Sequence, residues 1–472
     1  MKTFLIISFL LFTLTITAQK TWTLKDCMDT ALYRNISINK GILNSNINAI
    51  YLHQSKSAIL PNLNFGDNQA YNSGFSLDPY SNQYTTQNIN TNTANLTSSV
   101  TLFNGYLLIN TVKQYQLLYN AGEYDIQKAR NDIILGVLAG YMQLLMDYEA
   151  IDAAQAQISS TQTQVEETQK FVTFGKVAPL NLLQIESQLA ADKLLKVTAE
   201  NQLRLDKLTL LQLMEIPNRD DFNVQLQQFL TISPSIPIQA NEINAIAITF
   251  LPEVQSAAIK KDAAMYSYKM ARSGYYPKLS FSATLKTGYS SVRTNSIYDT
   301  SYLLSTIGYV KGDQSQPVTA MLPIVSSNRQ VSNLTNQLKN NFSQSVGLTL
   351  SVPIFNNRSV KTAVDIASAN IQSAKLNEQQ VRNDVRKSVE TVYTNQIAAG
   401  KKLTAIEEQM DMESRTYADM KKKYGFGASS VTDFLIEVNN FNKVFMQLIQ
   451  AKYDYILKTK LIDFYLHKPL TF

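Results

Sequence analysis

Val100-Thr101-Leu102-Phe103-Asn104-Gly105 and Val352-Pro353-Ile354-Phe355-Asn356-Asn357 are one short segment written twice, 252 residues apart. At the same offset Tyr141 falls on Tyr393, Phe174-Gly175 on Phe426-Gly427 and Leu183 on Leu435, so the register holds without a gap over about 80 residues. Upstream the offset is 216, which places Ala31 on Ala247, Pro61 on Pro277, Leu63 on Leu279 and Phe65 on Phe281. Constant offsets mark an internal duplication. The change from 216 to 252 puts one insertion of 36 residues between Phe281 and Val352. Each half then reads helix, extended hairpin, very long helix, glycine turn, helix.

Proline usage permits the long helices. None occurs between Pro79 and Pro179 or between Pro353 and Pro469, and proline breaks helix interiors. Ile126, Ala129, Ile133, Val137, Tyr141, Leu144, Tyr148 and Ile151 recur at three- and four-residue steps, as do Val360, Val364, Ala367, Ile371, Ala374, Val381 and Val385. This is a narrow coiled-coil seam with polar flanks. A helix of about 65–70 residues reaches ~100 Å. The shorter helices, expected at about 24–58, 180–215, 241–274 and 431–466, reach ~50–55 Å each.

The extended segments alternate with period two. Leu63, Phe65, Tyr71, Phe75 and Leu77 oppose Asn62, Asn64, Gly66, Asn68 and Asn72; Ala94, Leu96, Val100 and Leu102 oppose Asn95, Thr97, Ser99 and Thr101. In the second half Leu279, Phe281, Ala283, Leu285 and Tyr289 oppose Ser280, Ser282, Thr284 and Lys286, and Val346, Leu348, Leu350 and Val352 oppose Ser345, Thr349 and Ser351. From Asn62 to Thr111 the only charges are Asp67 and Asp78. Strands of this length and pattern suit a tilted transmembrane β-strand. Four strands cannot close a membrane barrel, and open edges are forbidden in lipid, so oligomerisation is required. A dimer would supply eight strands and a trimer twelve. Tyr71, Tyr80, Tyr84, Tyr106, Tyr276 and Tyr289 are candidates for interfacial girdles.

Composition narrows the field. The 472 residues are 45% hydrophobic, 10% aromatic and 17% charged, with net charge +6. That charge is too thinly spread to imply nucleic acid. No cofactor or metal site is expected from one cysteine, Cys27, and two histidines, His53 and His467. Lys2, the apolar run Phe4 to Leu14 and Ala18 form a signal peptide, expected at 1–18. Cys27 lies too far downstream for lipid anchoring. The expected organisation is a first repeat over 19–216 (β-hairpin about 62–103, coiled-coil hairpin about 104–215), then a linker over 217–240. A second repeat follows over 241–472, with a β-hairpin about 278–353, a long polar extracellular loop at 292–340 and a coiled-coil hairpin about 354–466. No nucleophile elbow, phosphate loop or metal-spaced histidine cluster is present, so an enzyme is not expected.

The signal peptide, the duplicated halves and their helix–hairpin–long-helix order resemble the TolC family of outer-membrane efflux and secretion ducts. So do Trp22-Thr23-Leu24 with Ala31-Leu32 and Asn35, the hairpin entries Leu60-Pro61 and Tyr276-Pro277, and the Phe-Gly turns ahead of a helix. The resemblance implies a mainly α protomer with membrane β: a homotrimer forming a 12-stranded β-barrel in the outer membrane of a Gram-negative bacterium, continuous with a 12-helix periplasmic α-barrel. It implies a passive exit duct of a tripartite efflux pump or type I secretion system. Its partners would be a periplasmic membrane-fusion (adaptor) protein, an inner-membrane transporter of RND or ABC type, and outer-membrane lipid. The competing reading is a trimeric exported coiled-coil stalk or adhesin without a channel, which would not need two copies of a strand-pair cassette.

In similar proteins the helix-hairpin tips contact the adaptor and close the periplasmic entrance. Here those tips contain Phe174-Gly175-Lys176 and Phe426-Gly427-Ala428. Family members can close the entrance with aspartate rings and Tyr, Arg and Asp hydrogen bonds between coils. On the glycine alignment Tyr424 matches the gate tyrosine and Asp433 the first ring aspartate, while Ile436, with Glu437 beside it, stands at the second. Asn181 replaces the aspartate of the other coil and Ser429 the arginine. The resemblance thus implies a Tyr424–Asn181 hydrogen bond, an Asp433 ring and no charged lock. Read from the residues alone, Asp433 is equally a first-turn helix carboxylate, and Lys421, Lys422 and Lys423 are either a patch that steers an acidic adaptor surface or a solvated run of C-terminal cations.

Overall fold

The computed structural model describes residues 21–86, 88–218, 221–226 and 238–470. The expected signal peptide lies outside the described residues, as do 219–220 and 227–237 of the expected linker. The first half contains β1 (Thr21–Trp22), α1 (Leu24–Arg34), α2 (Ile36–Ser57), β2 (Asn62–Asn72), β3 (Ser76–Leu77), β4 (Tyr84–Thr85), β5 (Ile89–Asn104), α3 (Leu107–Thr173), α4 (Pro179–Leu213) and β6 (Asn223–Val224). The second contains α5 (Ala240–Phe250), α6 (Pro252–Arg272), β7 (Lys278–Ser290), β8 (Thr294–Val310), β9 (Asp313–Val331), α7 (Leu334–Asn340), β10 (Ser343–Ser351), α8 (Ser359–Gly425) and α9 (Val431–Tyr465). Helices α3 and α8 have 67 residues each and α4 and α9 have 35 each. Both ends of α8 and α9 lie 252 residues beyond those of α3 and α4.

Two of the expected helices are each two. Asn35 (ψ 127°) separates α1 from α2, and Leu251 (ψ 127°) separates α5 from α6. At the second break Pro252 excludes the helical region for the residue before it. At the first, the Asn35 side chain takes over locally: its Oδ1 accepts from Ser37 N at 2.8 Å and its Nδ2 donates to the Leu213 carbonyl at 3.4 Å. Thr23 and Asp26 form a capping box that starts α1, an arrangement worth about 1 kcal/mol. The expected linker is also not all irregular, since Asn223 and Val224 pair in parallel with Thr21 and Trp22.

The chain divides into two compact units. Of the described residues, the helical unit comprises those up to Tyr51, those within Tyr115–Met265 and those from Ala369 onward. Its main core joins α1, α3, α4 and α9 through Cys27, Ala31, Leu138, Tyr141, Leu145, Leu210 and Ile456. Cys27 is fully buried there. The Tyr141 hydroxyl donates to the Gln225 carbonyl at 2.8 Å. A second core repeats the arrangement, with Ile243, Ala247 and Val254 of α5–α6 against Val385, Val389 and Ile462. Ala31 and Ala247, matched by the 216 offset, are both fully buried. Among the described residues α3 is the one helix long and apolar enough by composition to cross a bilayer. Its residues Val137, Leu138, Tyr141, Leu144 and Leu145 are instead packed in the core.

The other unit, Leu52–Gln114 and Tyr266–Ser368, is built on an antiparallel sheet in the order β10-β7-β5-β2. The two hairpins are joined by pairing of β5 with β7, leaving β2 and β10 as edges. Register sorts the residues by face. One face carries the rows Phe65–Leu96–Leu285 and Val100–Phe281–Leu348, and beyond them Phe103–Leu279–Leu350. The other carries Asn64–Thr97–Thr284–Ser345 and Asn62–Ser99–Ser282–Gly347. The apolar face is bare: Leu63, Phe65, Val346, Leu348 and Leu350 are 65–76% exposed.

Three readings of this unit need correction. A bulge after Thr101 pairs Phe103 with Leu279, so Phe103 takes the place in the apolar rows expected for Leu102. Tyr80 is not in a girdle. Its hydroxyl bonds Thr93 Oγ1 at 2.7 Å and the Asn92 carbonyl at 3.1 Å, and its ring end occupies the space a Cβ at Gly288 would need. It therefore lies over the polar face, in the row Asn68–Thr93–Gly288. The segment 292–340 is not a loop but the hairpin β8–β9 followed by α7. Leu303 pairs with Leu322 and Leu304 with Met321. Apolar residues thus fall on both faces of the ribbon, and no period-two signal exists to read.

The sheet predicts an asymmetric response to charge. If the apolar face meets hydrocarbon, Val346→Arg on that face will cost about 2–4 kcal/mol in a bilayer, whereas Thr284→Arg on the polar face will cost less than about 1 kcal/mol. Urea titration in lipid vesicles checks the difference; equal costs would mean the apolar face does not meet hydrocarbon.

Candidate functional site: the paired helical tips

Both coiled-coil hairpins reverse by one device. At the end of α3, Gly175 N bonds the Val172 carbonyl at 2.9 Å and Lys176 N bonds the Phe171 carbonyl at 2.9 Å. At the end of α8, Gly427 N bonds the Tyr424 carbonyl at 2.9 Å and Ala428 N bonds the Lys423 carbonyl at 2.8 Å. Gly175 has φ 71° and Gly427 φ 72°. Nothing lies within 4 Å of a Cβ built on either, so the backbone conformation, not space, demands glycine. The returning helices then start differently. Pro179 opens α4 behind Ala178, which makes no side-chain cap, while Ser430 caps α9 by accepting from Asp433 N at 3.0 Å.

The two tips lie side by side and enclose a cleft of about 520 Å³, lined by Phe171, Lys176 and Asn181 from the first and Tyr424, Phe426 and Gly427 from the second. Phe174 is 74% and Phe426 87% exposed. Lys176 Nζ sits 5.7 Å from the centre of the Phe171 ring, within cation–π range. Ile185, Val431, Phe434 and Val438 form a small core beneath the cleft, with Tyr424.

The expected gate residues separate here. Tyr424 and Asn181 line the same cleft, but the Tyr424 hydroxyl bonds Thr168 Oγ1 at 2.9 Å and its ring stacks on Phe434 at 4.7 Å. Within the chain the Tyr424 hydroxyl is thus engaged by Thr168. Asp433 is exposed and in the first turn of α9, where Oδ2 accepts from Ser430 Oγ at 2.6 Å. Glu437, expected beside the gate, is turned away from it and buried against Glu413 of α8. Burial first, and the Glu413 charge second, push its carboxyl above the usual range. Glu437 Oε1 and Glu413 Oε1 both lack a hydrogen-bond partner. Thr168, Phe434 and Glu413 were missed because their roles depend on the register between helices, which no single-helix periodicity encodes. Lys422 meets Asp419 at 3.9 Å with both side chains 73% exposed, a solvated pair.

Two outcomes follow for the tips. Gly427→Ala will destabilise the second tip by about 1–2 kcal/mol, read as faster amide exchange confined to its two turns. A carboxyl whose pKa is raised on folding favours the protonated state, so its destabilising effect grows as pH rises above the unfolded value. Glu437→Gln will therefore raise the melting temperature more at neutral than at acid pH. An equal gain at both would remove the buried pair as its cause.

The comparisons with known proteins agree with this architecture. The outer membrane efflux protein family matches residues 29–214 and 250–460. Outer membrane protein TolC of Escherichia coli is 21% identical over 415 residues, covering 86% of this chain and 74% of TolC. Among solved structures, CusC aligns with TM-score 0.76 at 15% identity, covering 94% of this chain and 92% of CusC. VceC of Vibrio cholerae aligns with TM-score 0.75 at 13% identity, covering 95% and 97%. Two family segments that between them take in both coiled-coil hairpins, on a TolC-like fold, place the chain in the outer membrane efflux protein family, as an outer-membrane efflux duct with a large periplasmic part.

Proposed function

We propose that the chain is the passive exit duct of a tripartite efflux pump and works as a homotrimer. Three copies of the sheet would close a 12-stranded barrel, and three copies of the helical unit a 12-helix periplasmic tunnel. The observation that carries this reading is the four-stranded sheet with two open edges and a bare apolar face. In hydrocarbon those edges need partners, and edge-to-edge pairing of copies supplies them. The face of Asn, Ser and Thr residues would then line a polar lumen.

The tips would dock a periplasmic adaptor protein through Phe174 and Phe426, flanked by Gly175, Lys176, Gly427 and Ala428. An inner-membrane transporter of RND or ABC type would supply the energy, and the duct itself would catalyse nothing. Asp433, exposed in the first turn of α9, would form a threefold carboxylate ring at the periplasmic mouth, concentrating negative potential there. Tyr424, anchored through its hydroxyl to Thr168, and Asn181 would hold the closed state through neutral contacts, with Glu437, buried against Glu413, outside the gate.

Single-channel recording in a planar bilayer tests the duct and the ring together. The wild-type protein should give small, cation-preferring currents, and Asp433→Ala should lose about half or more of that preference. Currents of unchanged selectivity would keep the duct and discard the ring. Silence from both the folded, inserted wild type and a Tyr424→Ala variant would count against a channel.

A further inference from the structure

The hairpin of β2 and β5 does not close in a tight turn. Residues 73–86 leave the end of β2, pass through β3 and β4 and return towards β5, at the end of the sheet opposite to the one joined to α2 and α3. This segment is folded over one face of the sheet. The Tyr80 hydroxyl donates to the Asn92 carbonyl at 3.1 Å and meets Thr93 Oγ1 at 2.7 Å, and its ring end takes the space above Gly288. Burial follows the same pattern. On the polar face at this end Ile89, Thr91, Gly288 and Ser290 are buried, whereas Asn62, Asn64 and Ser345, further along that face, are exposed. At the covered level the opposite face stays open, with Gln69, Tyr71 and Asn90 exposed.

The segment is fixed in shape as well as in place. Asp78 N donates to the Gln83 carbonyl at 3.0 Å, and Asn82 N donates to the Asp78 carbonyl at 2.9 Å. Asp78 Oδ2 accepts from Ser81 N at 2.9 Å. Asp78 is the only charged residue of 73–86 and is fully buried. Phe75 stacks on Tyr84 with ring centres 5.1 Å apart, and both are exposed. What the segment presents to its surroundings is therefore aromatic and neutral. The strand it rests on is braced from its other side. Gln337 of α7 accepts from Ser290 N at 2.9 Å and donates to the Ser290 carbonyl at 2.9 Å.

We propose that residues 73–86 form a constriction at the outer mouth of the duct, with Tyr80 as its anchor and Phe75 and Tyr84 as its rim. The inference rests on the reading that the Asn, Ser and Thr face lines the lumen. A segment lying on that face then stands inside the barrel, and three copies bring three aromatic pairs towards one axis. The rim sorts by size and apolar contact and not by charge, because the one carboxylate is turned into the fold. It acts independently of the Asp433 ring, which belongs to the helical unit.

Single-channel recording on the full chain in a planar bilayer tests this. Two variants open the rim: Tyr80→Ala, and a chain in which residues 73–88 give way to Asn-Gly, a turn suited to the paired Asn72 and Ile89. Each should raise the conductance about twofold or more, with the preference for cations unchanged. Gln83→Cys, in the exposed part of the segment, should lose about half or more of its current to a bulky neutral maleimide. Tyr71→Cys, on the opposite face, should take the label and keep its current; Cys27 is buried and adds no background. A conducting wild type whose current is unmoved by the shortened segment and by the Gln83→Cys label would overturn the constriction and leave the duct standing. Equal block at Tyr71→Cys, or an ion preference that changes on shortening, would also overturn it. Silence from both the wild type and a shortened chain carrying Tyr424→Ala would remove the duct, and this proposal with it.

Discussion

Backbone hydrogen bonding at β2 and β10 is the constraint on which the rest of the molecule turns. Both strands have a paired side and an open side, and in hydrocarbon each unmet amide or carbonyl costs several kcal/mol. In a bilayer both edges of such a sheet need partners. The apolar face compounds the point: its leucines and phenylalanines have no helical layer over them and need lipid. Residues that would look like errors in a soluble protein, bare Leu348 and Leu350 among them, are what this unit requires. Asn, Ser and Thr make up most of the other face, with Lys278 and Lys286 as its charges on β7. The neutral residues are tolerated next to water while adding little electrostatic repulsion when several sheets are brought together.

The helical unit is governed by the duplication. Matching helix ends at one constant offset mean that the two hairpins reverse at equivalent places and present their tips together. Within that likeness, the buried polar chemistry is asymmetric. Asp192 lies where the second half has Val444, and Glu413 where the first has Thr161. The duplicated backbone is thus matched between halves where packing demands it, at Ala31 and Ala247, and where a left-handed turn does, at Gly175 and Gly427. It diverges where side chains face cavities or the opposite coil. Asymmetry of this kind gives two geometrically similar coils different electrostatic interiors.

Much of this was legible in the sequence because it obeys a local period. The long helices, the four sheet strands and the glycine reversals each leave a signal within one element. What was not legible depends on relations between elements. Tyr424 bonds Thr168 because of how α8 lies on α3, and Glu437 faces Glu413 because of the register of α8 with α9. Tyr80 crosses to the polar face because Gly288, two strands away, makes room for it. The bulge at Leu102 and the helix break at Asn35 are single-residue events that shift a pattern without erasing it. The β8–β9 ribbon escaped for the opposite reason: with apolar residues on both faces it has no alternation to detect.

Cys27 has a consequence for how the molecule can be observed. It is the only cysteine of the chain and lies fully enclosed in the helical core, where solution thiol reagents do not reach the folded state. The protein therefore comes with an almost silent background for thiol-specific spin labels and fluorophores. A cysteine introduced at an exposed position such as Phe174 or Phe426 would be the sole reactive one. Dipolar spectroscopy between copies would then report the separation of the tips directly, with no need to strip native thiols first.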